Sequence, residues 1–128
     1  MSASINPGKT IIYAAIAALI NSIIYLFAKF ADASMIVNQG GSREIVLAMV
    51  FASSFVALVA AAYVVSFIGK KSEGFLTKAP LIGLIFGVVT AIAPFTVADD
   101  SKTAIALASN HIVAGVFWYI GTKRALSN

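Results

Sequence analysis

Four long apolar runs, separated by short polar connections, constrain this chain more than any other feature. They cover about residues 10–30, 45–68, 79–98 and 103–121, each 19–24 residues long. About 20 helical residues cross a hydrocarbon core of ~30 Å. In lipid, only helices or closed barrels satisfy the backbone polar groups. Barrel strands would alternate apolar and polar residues over about ten positions, and these runs do not. The expectation is an all-α, four-helix transmembrane bundle occupying residues 1–128 as one integral membrane domain. The short connections make sequential helices antiparallel neighbours, up-down-up-down.

Composition agrees. Hydrophobic residues make up 60% and charged residues 11%, against roughly 45–50% and 25% for soluble domains. So few charges cannot cover a water-facing surface, which leaves lipid to cover the rest. The formal net charge is +4, but the basic residues lie in the short loops and read as topology signals rather than a nucleic-acid surface. The absence of cysteine removes disulfides, thiolate metal sites and cysteine nucleophiles.

Capping signals punctuate the runs. Asn6-Pro7-Gly8 precedes the first, with Pro7 suited to a first helical turn. Ser42 is a candidate N-cap for the second, with Glu44 in the positive end of its dipole. Gly69 suits the end of the second helix and Pro80 the start of the third. Asp99-Asp100-Ser101 makes a tight turn capping the fourth. Lys9, Lys70, Lys71, Lys78, Lys123 and Arg124 fall on one side, and Lys29, Arg43 and Lys102 on the other. Six basic residues against three put both termini in the cytoplasm of a multi-pass cell-membrane protein. Phe117, Trp118, Tyr119, Tyr13 and Tyr63 fall near the inner boundary as an aromatic belt. Phe30-Ala31-Asp32-Ala33 loosely resembles a signal-peptide cleavage site. The preceding run exceeds the usual apolar length of such signals, so cleavage is not expected.

Polar residues inside lipid are costly, so their placement is informative. Asn21 and Ser22 interrupt the first run, Ser53 and Ser54 the second, Thr90 the third, and Ser109, Asn110 and His111 the fourth. At 1.5 Å per residue, Asn21, Ser53, Ser54, Thr90, Asn110 and His111 all lie about 11–14 Å from the outer boundary. One reading is a structural hydrogen-bond layer, with pairs contributing about 0.6 kcal/mol each. The other is a small pocket or solvated cavity entered from outside, with Lys29, Asp32, Asp99, Asp100 and Lys102 at its mouth.

His111, the one histidine, suits proton shuttling, ligand binding or a simple packed hydrogen bond. It cannot make a metal site alone, and haem with two histidines would need two chains, so no metal or cofactor is expected. Pro94 cannot donate to the Thr90 carbonyl and should kink the third helix, adding an acceptor to the polar layer. Gly83 and Gly87 form a Gly-x-x-x-Gly pattern for close helix packing, inside the bundle or between chains. Ala14, Ala18, Ala57, Ala61 and Gly115 offer further small contacts. Asn21, Tyr25 and Lys29 share a face, either as a polar stripe or, preferably, with Tyr25 and Lys29 as an interface anchor.

No paired intramembrane carboxylates, catalytic triad spacing or phosphate loop is visible, so an enzyme is not expected. Asp99 and Asp100 suit a cap better than acid–base work.

Thr90 and Pro94 in the Ala-rich third helix, the polar turn, and Ala106-Leu107-Ala108 leading to His111 resemble a group of small four-helix bacterial membrane proteins of unknown function. In that group a small hydroxyl residue shortly precedes a proline, and a histidine follows a Leu-rich turn, often after methionine. Asn110 stands here where methionine would be usual. The resemblance implies a four-helix bundle, draws Thr90, Pro94 and His111 together, and supplies no activity.

The leading functional expectation is a non-enzymatic assembly or accessory subunit, or a self-associating membrane scaffold. Its partners would be the lipid bilayer, a homo-oligomer or a larger membrane complex, and a bound lipid. The rival is a binding module for a lipid or quinone-like ligand, or a proton or ion conduit, using the polar layer.

Overall fold

The computed structural model describes residues 4–127, and most of them are helical. The elements run β1 (Ser4–Ile5), α1 (Pro7–Phe30), β2 (Ile36–Asn38), β3 (Ser42–Glu44), α2 (Leu47–Gly69), α3 (Glu73–Thr90), α4 (Pro94–Val97), α5 (Ser101–Ala125) and β4 (Leu126–Ser127). Four helical spans are long and apolar enough to cross a membrane: Pro7–Phe30, Leu47–Gly69, Glu73–Val97 and Ser101–Ala125. Only 17–33% of each span's most apolar stretch is buried within the protein. The remainder, including Phe27, Phe30, Phe67, Phe86 and Ile92, faces outward. An apolar surface this extensive requires lipid rather than water around it.

The chain is not purely α-helical, as the periodicity had suggested. β1 pairs antiparallel with β4, bringing the two ends of the described chain together. Ile5 packs there with Leu76 and Ala125, and Ser66 Oγ donates to the Ile5 carbonyl at 3.3 Å. At the opposite end β2 and β3 form a hairpin, turned by Gly40 and Gly41 at φ 70° and 146°, values that favour glycine. Val37 bridges this hairpin to Ala98. These strands are two or three residues long, too short to carry a detectable alternation.

The hairpin displaces two expected caps. Ser42 and Glu44 belong to β3, and α2 starts after Val46, which makes no side-chain capping bond. Pro80 lies inside α3 rather than at its start, because Ser72 caps that helix two turns earlier through the Phe75 N–H. Other boundaries agree with the sequence. Pro7 occupies the first turn of α1 behind an Asn6 cap, Gly69 is the last residue of α2, and Asp100 caps α5 through the Thr103 N–H.

Pro94 does more than kink the third span. α3 stops at Thr90, and a separate turn of helix begins at Pro94 itself. The Thr90 carbonyl does not become a spare acceptor, because the Ala93 N–H takes it at 3.1 Å.

α1 packs extensively against both α2 and α5, and α3 packs against α5, whereas α2 meets α3 and α5 only sparsely. Small residues permit the close contacts. Ala14, Ala17 and Ala18 of α1 are fully buried. A Cβ on Gly87 would lie 2.8 Å from Gly115 Cα, and one on Gly83 would collide with the Trp118 ring. The Gly-x-x-x-Gly face is therefore occupied by α5 of the same chain. Trp118 is likewise buried rather than part of an aromatic belt, and its indole N–H donates to the Ala79 carbonyl at 2.9 Å. Tyr63 remains exposed, and Tyr119 lies under Lys123 with Nζ 5.3 Å from its ring centroid.

At the hairpin end, Tyr25, Ala33, Met35, Val50 and Ala106 form a core. Tyr25 is thus a core residue rather than an interface anchor. Its neighbour on that face, Lys29, forms an exposed pair with Glu44 at 3.7 Å. Met35 is completely buried with φ 54°. It is held by the Thr103 hydroxyl on its N–H at 2.9 Å and by the Ile45 N–H on its carbonyl at 2.7 Å.

Candidate functional site

Because α2 stands apart from α5, a cleft of about 420 Å³ opens along the helices. Its walls are Ile45, Met49, Val50, Ser53, Ser54, Ala57 and Leu58 on one side and Leu107, Asn110, His111 and Ala114 on the other, with Asn21 of α1 between them and Arg43 at the hairpin end. Five of the six residues selected by depth line it. The sixth, Thr90, reaches it through His111.

Asn21 ties three helices together. It is 1% exposed, and its Nδ2 donates to Ser54 Oγ at 2.9 Å and to the Asn110 backbone carbonyl at 3.2 Å. The remaining acceptor of its amide, Oδ1, is buried and receives no donor among the described residues. Asn110 Oδ1 is in the same condition. Protein interiors seldom leave such groups unpaired, since each unmet acceptor costs about 1–3 kcal/mol. The other small hydroxyls satisfy themselves on their own helices: Ser22 on Ala18, Ser53 on Val50, and Ser109 on Ile105.

Thr90 is the hydrogen-bond partner of the His111 ring. The hydroxyl has a single proton, and its shortest contact is to the Phe86 carbonyl at 2.7 Å, the usual back-bond of a helical threonine. The His111 Nδ1 atom 3.0 Å from Thr90 Oγ1 must then carry the hydrogen and donate it. Nε2 is left as an acceptor. Asn21, Asn110 and His111 all line the cleft, and the amide oxygens of the first two are buried.

The five charged residues expected at the mouth do not line it. Asp100 accepts from the Ser34 N–H at 2.9 Å and the Thr103 N–H at 2.7 Å. The Ser34 hydroxyl, followed by these two N–H groups, holds its carboxyl well below the usual carboxylate range. Lys102 donates to the Ala31 carbonyl at 2.7 Å, closing the end of α1. Asp99 is joined to Asn38 at 3.4 Å, Lys29 faces Glu44, and Asp32 lies outside the cleft lining. The charge that does line the cleft is Arg43, which makes no ion pair among the described residues. Its place on a short strand, unmarked by periodicity, concealed this role in the sequence.

Four helical spans with outward apolar faces define a multi-pass membrane protein in a lipid environment. Over residues 2–128 the chain matches the model of a family of unknown function, DUF6069, and it belongs to that family. No curated protein and no solved structure matches it.

Proposed function

We propose that this chain is a non-enzymatic membrane module that binds a small amphiphile in the cleft between α2 and α5. The observation that carries this reading is the cleft itself, which reaches the polar layer at Asn21, Ser54, Asn110 and His111. A layer serving only as glue would pack without space and pair its own groups. Here two buried amide oxygens remain unpaired among the described residues. Apolar walls with a few convergent polar groups are the usual character of small-molecule sites.

In this reading the chain crosses the cell membrane four times, up-down-up-down, with both termini cytoplasmic. Support comes from the basic residues Lys9, Lys70, Lys71, Lys78, Lys123 and Arg124, and from the β1–β4 pairing of the chain ends. The cleft then opens toward the outer leaflet at Arg43. We favour binding over self-association because the small-residue face that suits a dimer seam is already filled by Trp118 and Gly115 of the same chain.

Native mass spectrometry of the protein released from membranes in mild detergent tests this function. The expected result is a reproducible bound mass that disappears in Ala57→Trp, a substitution that fills the cleft from an exposed position on α2, while helicity is unchanged. A bare wild-type protein, or a bound mass retained in Ala57→Trp, counts against the reading.

A further inference from the structure

The uncharged polar residues of the cleft, Asn21, Ser53, Ser54, Asn110 and His111, carry both hydrogen-bond donors and acceptors, so they do not select the polarity of a ligand. The charge does. Among the described residues, Arg43 is the one cation in the cleft lining, and no acid accompanies it there. The chain has five acidic residues, and each lies elsewhere. Glu44 faces Lys29 at 3.7 Å, Asp99 is joined to Asn38, and Asp100 accepts from the Ser34 and Thr103 N–H groups. Asp32 follows the end of α1, outside the lining. Glu73 begins α3 at the opposite end of the molecule, beside Lys70 and Lys71.

Local structure sets this charge over the cleft. Arg43 and Glu44 are consecutive in β3, so their side chains leave opposite faces of the strand. Glu44 meets Lys29 of α1, and Arg43 is left at the gap between α2 and α5. The hairpin that carries it is pinned in place. The Asp99 N–H donates to the Ile36 carbonyl at 2.9 Å, and the Ile45 N–H donates to the Met35 carbonyl at 2.7 Å. Beyond Arg43 the walls are apolar, formed by Ile45, Met49, Val50 and Leu107. A neutral apolar chain would fill these walls and leave the guanidinium without a counterion.

Resting on the binding reading above, we infer that the cleft selects an acyl chain with an anionic headgroup, a carboxylate or a phosphate, and that Arg43 is the residue that selects it. The headgroup pairs with the guanidinium, whose fork matches either anion, and the chain lies along Met49, Val50 and Leu107. Arg43 is exposed, so the pair discriminates between ligands more than it adds affinity. Burial of the chain against the apolar walls supplies the larger part. A zwitterionic headgroup is disfavoured, because its ammonium would find no acid in the lining.

The test uses the full chain in phosphatidylcholine nanodiscs at alkaline pH, where fatty acids are ionised and the guanidinium keeps its charge. Stearic acid and octadecyl phosphate each compete with octadecanol at equal concentration in the bilayer, and native mass spectrometry separates the complexes. The wild-type protein should hold at least one anion about five-fold in preference to the alcohol, as expected of one exposed charge pair. Which anion leads tells a fatty-acid carboxylate from a phosphate headgroup, and a lead by either supports the inference. Arg43→Gln should bring the ratio close to one without weakening the alcohol complex, and Arg43→Lys should keep most of the preference. Lys29→Gln removes a cation at the same end but outside the lining and should preserve the preference. An equal fall in Lys29→Gln and Arg43→Gln overturns the inference, because general surface charge would then attract the anions. Saturable binding of all three probes with equal occupancy also overturns it and leaves the cleft a binding site. Absence of saturable binding of any probe overturns this inference together with the function on which it rests. The wild-type competition needs no variant, so loss of folding in a variant leaves the test intact.

Discussion

Asn21 Nδ2 donates to Ser54 Oγ across 2.9 Å, and the same amide nitrogen reaches the Asn110 carbonyl at 3.2 Å. One fully buried amide on α1 therefore fixes the spacing of α2 and α5, the two walls of the cleft. Asn21→Leu should destabilise the protein by about 1–2 kcal/mol, because it deletes both bonds and buries the Ser54 hydroxyl against an apolar group. Ser54→Ala removes one of them and should cost nearer 0.6 kcal/mol, the average for such bonds in membranes. Reversible unfolding in mixed micelles measures both. Equal losses in the two variants would show that the bond to the Asn110 carbonyl contributes nothing.

The glycines of α3 give a second prediction. Gly87→Ala must push a methyl against the Gly115 Cα and the His111 carbonyl, both 2.8 Å from the new Cβ. Backbone cannot move aside as a side chain can, so the cost should be about 1–3 kcal/mol. Gly83→Ala meets the Trp118 ring and should break the indole bond to Ala79, which a tryptophan fluorescence shift would report. Neither variant should alter self-association measured by sedimentation. A change of oligomeric state with unchanged stability would return this face to a contact between chains.

Much of the fold was legible because lipid imposes a simple rule. Every spanning residue must be apolar or locally satisfied, so spans, capping at Pro7 and Asp100, and the polar layer all leave marks in the sequence. What escaped was set by contacts distant in the chain. The β1–β4 ribbon depends on residues more than a hundred positions apart. The burial of Tyr25 and Trp118 follows from which way α1 and α5 face, and an aromatic residue near a helix end looks the same in a belt or a core. Depth grouped Asn21, Ser53, Ser54, Asn110 and His111, which line one cleft, with Thr90, which does not. It could not distinguish Asn21, which bonds across helices, from Ser22, which bonds back to Ala18. Arg43 was invisible as a cleft residue because the hairpin that presents it has no helical periodicity.

Asp100 supplies a pH dependence. In the folded protein its carboxyl titrates well below the ordinary value of 3.8, chiefly through the Ser34 hydroxyl and the Thr103 and Ser34 N–H groups. A depressed folded value contributes stability that is fully present above the unfolded value and is lost as pH falls through the folded one. The wild-type protein should therefore weaken progressively below about pH 4 as this contribution is withdrawn, whereas Asp100→Asn should be less stable at neutral pH and should show a shallower fall over the same interval. Thermal unfolding followed from pH 6 to pH 2 tests this. Parallel profiles for the two proteins would assign the acid sensitivity to other groups.

The tautomer of His111 is directly observable. Nitrogen-15 shifts of labelled imidazole should show the proton on Nδ1 in the wild-type protein, facing Thr90 Oγ1 at 3.0 Å. Thr90→Val removes the partner and should abolish that bias. A wild-type spectrum with the proton on Nε2 would mean that Thr90 donates to the ring and that His111 offers the cleft a donor.

The most direct test of the central claim is paramagnetic broadening by a stearic acid spin-labelled at mid-chain, titrated into the isotope-labelled protein in nanodiscs. The account predicts saturable broadening concentrated at Ser54, Ala57, Leu107 and Asn110, which line the cleft, and weak broadening at Ile85 and Val88, which are exposed on α3 away from it. Broadening that is uniform over all lipid-facing residues and never saturates would contradict it, because the fatty acid would then be dissolved in the surrounding bilayer and not bound by the protein.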